Sequence, residues 1–89
     1  MPDATGPHEL IIEFSAARAS LVSSRLWHPT QQLVELPDGR VRLTFRAPSV
    51  APIVSWVLEW GPHARAIAPP SLVAQVKEEL VAALRQYET

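Results

Sequence analysis

TQQLVELPDGRVRLTFRA, residues 30–47, reads as two strands joined by a tight turn. In the second strand Val41, Leu43 and Phe45 alternate with Arg40, Arg42, Thr44 and Arg46. That period of two puts an apolar set on one face and charge on the other. The connector Pro37-Asp38-Gly39 supplies a fixed φ, a turn-forming carboxylate and a residue free to take positive φ. This chemistry suits a type I turn closed by a glycine bulge. Thr30–Leu36 is therefore predicted to pair antiparallel with Arg40–Ala47.

Working upstream, Leu10, Ile12 and Phe14 alternate with Ile11 and Glu13, which predicts a strand from His8. Ser15 is then placed as the N-cap of a helix from Ala16 to about Ser24, with Ala17, Leu21 and Val22 on its apolar face. Trp27-His28-Pro29 interrupts the pattern, because the residue before a proline is held extended. Downstream, Ser49 is the expected N-cap of a helix whose Val50, Ile53, Val54, Val57 and Leu58 recur at helical spacing. Gly61 and Pro62 end it. His63–Ala68 is a short strand. Pro69-Pro70 opens a last helix, with Leu72, Val73, Val76, Leu80, Leu84 and Tyr87 as its stripe.

The first six elements spell βαββαβ, the order of an α+β ferredoxin-like sandwich, and the seventh is an additional C-terminal helix. Right-handed crossovers lay both intervening helices on one face of a four-stranded antiparallel sheet. Leu10, Ile12 and Phe14 would meet the helices with Val41, Leu43 and Phe45. The open face would carry Glu9, Ile11, Glu13, Arg42, Thr44 and Arg46. The exposed sheet edges are expected at Leu33–Leu36 and at residues 63–68.

At 89 residues the chain suits one domain. Residues 1–7, turn-rich and acidic, are read as a linker or tail, and 8–89 as the domain. There is no cysteine, which excludes a disulfide scaffold, a thiolate metal centre and a cysteine nucleophile. No basic leader or uninterrupted apolar span is present, so a cytoplasmic protein without membrane contact is expected. The formal net charge of −1 conceals a local excess. Between Arg18 and Arg65 lie six arginines against Glu35, Asp38 and Glu59, while the flanking segments are acidic or near neutral.

Catalytic chemistry finds no residues to carry it. No serine lies in a nucleophile elbow, and His8, His28 and His63 are too far apart in sequence to make a metal face. Asparagine is absent, so a common oxyanion donor is missing. No catalytic, cofactor-binding or metal residue is assigned. The arginines admit two readings. Arg42 and Arg46, with Arg65, on the open face could contact an anion or phosphate, or the strand arginines pair with Glu9 and Glu13 across the strands for about 0.2–1 kcal/mol each. Trp56 and Trp60, four apart on the second helix, are either core-edge packing or an interface.

Four segments together resemble one family. They are Trp27-His28-Pro29-Thr30-Gln31, Leu36-Pro37-Asp38-Gly39-Arg40, Trp56-Val57-Leu58 running into Gly61-Pro62, and Ile67-Ala68-Pro69-Pro70-Ser71-Leu72. Their order and spacing are similar to the C-terminal extension (WCX) domain of bacterial WYL-domain transcriptional regulators, from about His8 to Tyr87. The resemblance implies a non-enzymatic regulatory module whose parent carries helix-turn-helix and WYL domains. It implies a homodimer and an effector, single-stranded nucleic acid or another anion. The Trp-Tyr-Leu signature is not in this sequence, so no WYL ligand residue is carried over. Effector contacts are expected at Arg18, Arg25, Trp27 and His28, or at Arg42 and Arg46. The alternative is a stand-alone ferredoxin-like domain binding a small metabolite across a dimer, marked by a concave pocket of Ile11, Leu33 and the tryptophans.

Overall fold

The computed structural model describes residues 7–88; residues 1–6 of the expected tail, and Thr89, lie outside them. The elements run β1 (His8–Phe14), α1 (Ala16–Ser23), β2 (Gln32–Glu35), β3 (Val41–Ala47), α2 (Ala51–Glu59), β4 (Ala64–Ala68) and α3 (Pro70–Arg85). The sheet is antiparallel with order β2-β3-β1-β4. This is the ferredoxin-like arrangement with a third helix added.

Registers follow the alternation. Leu10 faces Phe45, Ile12 faces Leu43 and Phe14 faces Val41 across β1 and β3, and all six are buried. Val22 of α1, Val54 and Val57 of α2, and Leu72 and Val76 of α3 close the same core, so the helices share one face of the sheet. Side chains at the intervening positions, Glu9, Ile11 and Glu13 opposite Arg46, Thr44 and Arg42, lie on the open face. The free edges are β2 and β4, as the sequence predicts.

The hairpin turn forms as expected. Arg40 carbonyl accepts the Leu36 N–H at 2.8 Å and Leu36 carbonyl accepts the Gly39 N–H at 3.0 Å. Gly39 takes φ 90° there, and Gly61 takes φ 59° after α2, the conformation that favours glycine.

Several local expectations are corrected. β2 is shorter than Thr30–Leu36, because the side chains of Thr30 and Gln31 are spent on the preceding loop. Ser15 is the N-cap residue of α1, as expected, but its side chain makes no capping bond; its Oγ lies 2.9 Å from His63 Nδ1, and its N–H donates to the His63 carbonyl at 2.9 Å. The start of α1 is thereby tied to the start of β4. Ala17 and Leu21 are exposed, and Ala19 with Val22 makes the inward face of α1. Ala19 and Val22 are three apart and share a face, whereas Ala17 and Leu21 lie roughly 100° or more round the helix from Val22. The N-cap of α2 is Val50 and not Ser49, although Ser49 Oγ accepts the Ala51 N–H at 3.3 Å. On α3 only the first part of the stripe is buried: Leu80, Leu84 and Tyr87 are exposed.

Candidate functional site

Five of the residues singled out from the sequence come together between the end of α1 and α2. Trp27 reaches in from the α1–β2 loop, and Trp56 and Trp60 stand one turn apart on α2. Their rings meet at 5.4 Å and 5.8 Å from Trp27, tilted or edge to face. Both α2 tryptophans also pack edge-on against buried Phe14, at 5.7 Å and 4.9 Å. Such pairs add about 0.5–1.5 kcal/mol each beyond area burial. Trp56 and Trp60 are thus half-buried, with one side on the core and the other facing outward.

The loop that presents Trp27 is built by its own side chains. Trp27 Nε1 donates to the Val22 carbonyl at 3.0 Å. Gln31 Oε1 accepts the N–H groups of Trp27 and His28, and Gln31 Nε2 donates to the Arg25 carbonyl at 3.2 Å. Thr30 completes the support. Its N–H donates to His28 Nδ1 at 3.2 Å, and its hydroxyl, 2.9 Å from the same nitrogen, accepts the Arg46 N–H at 2.9 Å. With Nδ1 accepting, the ring hydrogen of neutral His28 sits on Nε2. His28 stacks on Phe45 at 5.4 Å and 28° between planes. Gln31 and Thr30 are functional supports that residue type alone did not mark; their polarity beside Trp27 was the available signal.

Two shallow hollows share the Trp27–Trp56 wall. One, about 270 Å³, is bounded by Leu21, Arg25, Trp27, Trp56, Glu59 and Trp60. The other, about 230 Å³, is bounded by Trp27, His28, Phe45, Ile53 and Trp56. Both fall below the roughly 300 Å³ at which engulfing small-molecule sites begin. They fit a flat ring laid against indole, not an enclosed metabolite. Arg25 holds its guanidinium carbon 5.4 Å above the Trp27 ring and makes no ion pair among the described residues. Trp56 and Trp60 indole N–H groups likewise have no protein acceptor among the described residues.

The other expected contacts lie elsewhere. Arg18 is exposed on α1. Arg42 and Arg46 are on the open face, and Arg42 is committed there: its Nε and a terminal nitrogen donate to Glu13 Oε2 at 3.2 Å and 3.0 Å. Arg40 donates to Glu13 Oε1 at 2.6 Å and to Asp38 Oδ2 at 2.7 Å. Those hydrogen bonds from Arg40 hold the Asp38 carboxyl below its ordinary 3.8. Arg46 faces Glu9 in register but makes no ion pair among the described residues. Arg40 and Arg42 are matched by Glu13 and Asp38, whereas Arg46, and Arg65 opposite Glu13 on β4, make no ion pair among the described residues. Ile11 is on the open face too, across the sheet from the tryptophans, so a pocket of Ile11, Leu33 and the tryptophans does not form within one chain.

Among the described residues no group of three or more histidine, aspartate or glutamate side chains is placed to hold a metal ion. No helix of the described residues is long and apolar enough to cross a membrane. No curated protein sequence matches the chain. A family model, the WCX domain, matches residues 6–84, which spans the sheet, all but the end of α3, and the whole aromatic cleft. The chain belongs to the WCX-domain family.

Proposed function

We propose that the chain is a non-enzymatic regulatory module of a WYL-type transcriptional regulator, dimeric and cytoplasmic, which takes part of an effector at the tryptophan cleft. The effector chemistry is an unsaturated ring next to negative charge, as in a single-stranded nucleic acid. One observation carries this choice: three indoles and the unpaired Arg25 guanidinium converge on one hollow, and two of the indoles continue into the next beside His28. Aromatic faces stack bases without regard to sequence, and a nearby arginine meets the phosphates. The open face is the weaker candidate because its side chains on β1 and β3 include no aromatic ring to stack a base and Arg42 is held by Glu13.

Short single-stranded DNA added to the chain should quench tryptophan emission saturably. Raising salt from about 50 to about 200 mM should weaken that binding, since phosphate contacts release counterions. Arg25→Ala should weaken it about 3- to 10-fold at low salt. No saturable change at low salt refutes the nucleic-acid reading for this chain.

A further inference from the structure

Two opposite charges share the first tryptophan hollow without meeting. Arg25 and Glu59 both bound the space of about 270 Å³ against Trp27, Trp56 and Trp60. No ion pair joins them, and neither has one elsewhere among the described residues. Helix chemistry gives Glu59 no reason to be there. It is exposed and is the last residue of α2, and a carboxylate in a final turn stands at the end of the helix dipole that favours cations.

A carboxylate in this place also repels a polyanion unless the ligand offers it hydrogens, because its two oxygens only accept. Among the nucleobases guanine alone offers two on one edge, where N1–H and the N2 amino group point side by side toward a carboxylate's two oxygens. Adenine and cytosine each set one amino group beside a bare ring nitrogen. Thymine sets its single N3–H between two carbonyls. A carboxylate that takes a hydrogen from any of these three also meets a lone pair.

We propose that Glu59 makes this hollow a guanine site. The base lies against the indoles with N1–H and N2–H donating to the Glu59 carboxylate, while Arg25 meets the phosphate. The site rests on the nucleic-acid reading above and adds base identity to it. The second hollow has no carboxylate in its wall, so a neighbouring base stacks there without the same choice.

Short oligothymidylates carrying one central guanine, inosine, adenine or cytosine, titrated into the 89-residue chain at low salt and followed by tryptophan emission, test it. The guanine oligomer should bind about 5- to 30-fold more tightly than the adenine and cytosine ones, the effect of one bidentate pair. Inosine keeps N1–H but lacks the 2-amino group, and should lose most of that preference. Glu59→Gln should abolish the guanine advantage and tighten the other oligomers about 2- to 5-fold, since a charge that repels phosphate is gone. Arg25→Ala should instead weaken all four alike. The Glu59→Gln chain should melt no lower than the parent, because the lost charge opposes the helix dipole; if it melts lower, guanine against inosine in the parent chain decides alone. Equal affinities for all four oligomers, or a guanine preference that survives Glu59→Gln, overturn the guanine site and leave the stacking cleft standing. No saturable change with any oligomer overturns the nucleic-acid reading and the guanine site with it.

Discussion

Glu13 sits on the face of the sheet that the helices leave open, yet its side chain is only 10% exposed. Arg40 and Arg42 cover it and take both of its oxygens. A carboxylate this enclosed is stabilised only while its partners stay, so Glu13→Gln should lower the unfolding free energy by about 1–2 kcal/mol, measured by urea denaturation. Asp38 holds Arg40 in place from the turn. Its pKa is lowered by the hydrogen bonds from Arg40, so its contribution is present above the ordinary 3.8 and is lost as pH falls through the lower folded value. Asp38→Asn should therefore remove a contribution that is fully present at pH 5–7, and its difference from the parent chain should vanish as pH falls through that acid range. The alternation of β1 and β3 made the Glu13–Arg42 pairing readable in advance. The part of Arg40 was not readable, because it depends on a turn carboxylate two residues back steering a long side chain.

At the scale of elements, the hairpin and α2 were the most legible because each obeys a single local rule. Pro37-Asp38-Gly39 dictates its turn, and the apolar stripe of α2 has one face to bury. Gly39→Ala should cost about 1–2 kcal/mol in thermal or chemical melts, since φ is 90° and the new Cβ would meet the Cβ of Ala16 at 3.3 Å. Gly61→Ala, with open space around it at φ 59°, should cost about 1 kcal/mol from conformation alone. The inward face of α1 was misread because its burial is set by Ala19, whose small side chain gives little periodic signal. The stripe of α3 was read correctly as a pattern, but a pattern does not say where the sheet beneath it stops. Leu72→Ala should cost about 2–4 kcal/mol, and Leu84→Ala should leave monomer stability within about 0.5 kcal/mol. The contrast separates the half of α3 that builds the core from the half that overhangs it.

Across the whole molecule, the candidate site is assembled from segments far apart in the chain. Trp27 arrives on a loop, Trp56 and Trp60 on a helix, and Phe14 and Phe45 from two neighbouring strands. The sequence named Arg25, Trp27 and His28, with Arg18, as effector contacts, and Trp56 and Trp60 as core-edge packing or an interface. Only the topology joined these five, without Arg18, on the side of the sheet away from Arg42 and Arg46. That separation makes the central claim testable in one titration. Nuclear magnetic resonance of the uniformly nitrogen-labelled chain, with short single-stranded DNA added at low salt, follows every backbone amide and all three indole N–H groups together. Large shifts are expected at the Trp56 and Trp60 indoles and around Arg25 and His28. The Trp27 indole, already donating to the Val22 carbonyl, should move less, and the amides of Arg42 and Arg65 should stay in place; the Arg46 amide donates to Thr30 beside His28 and is free to follow the loop. Shifts concentrated on Arg42, Arg46 and Arg65, with the tryptophan indoles unmoved, would contradict the assignment of the effector to the cleft.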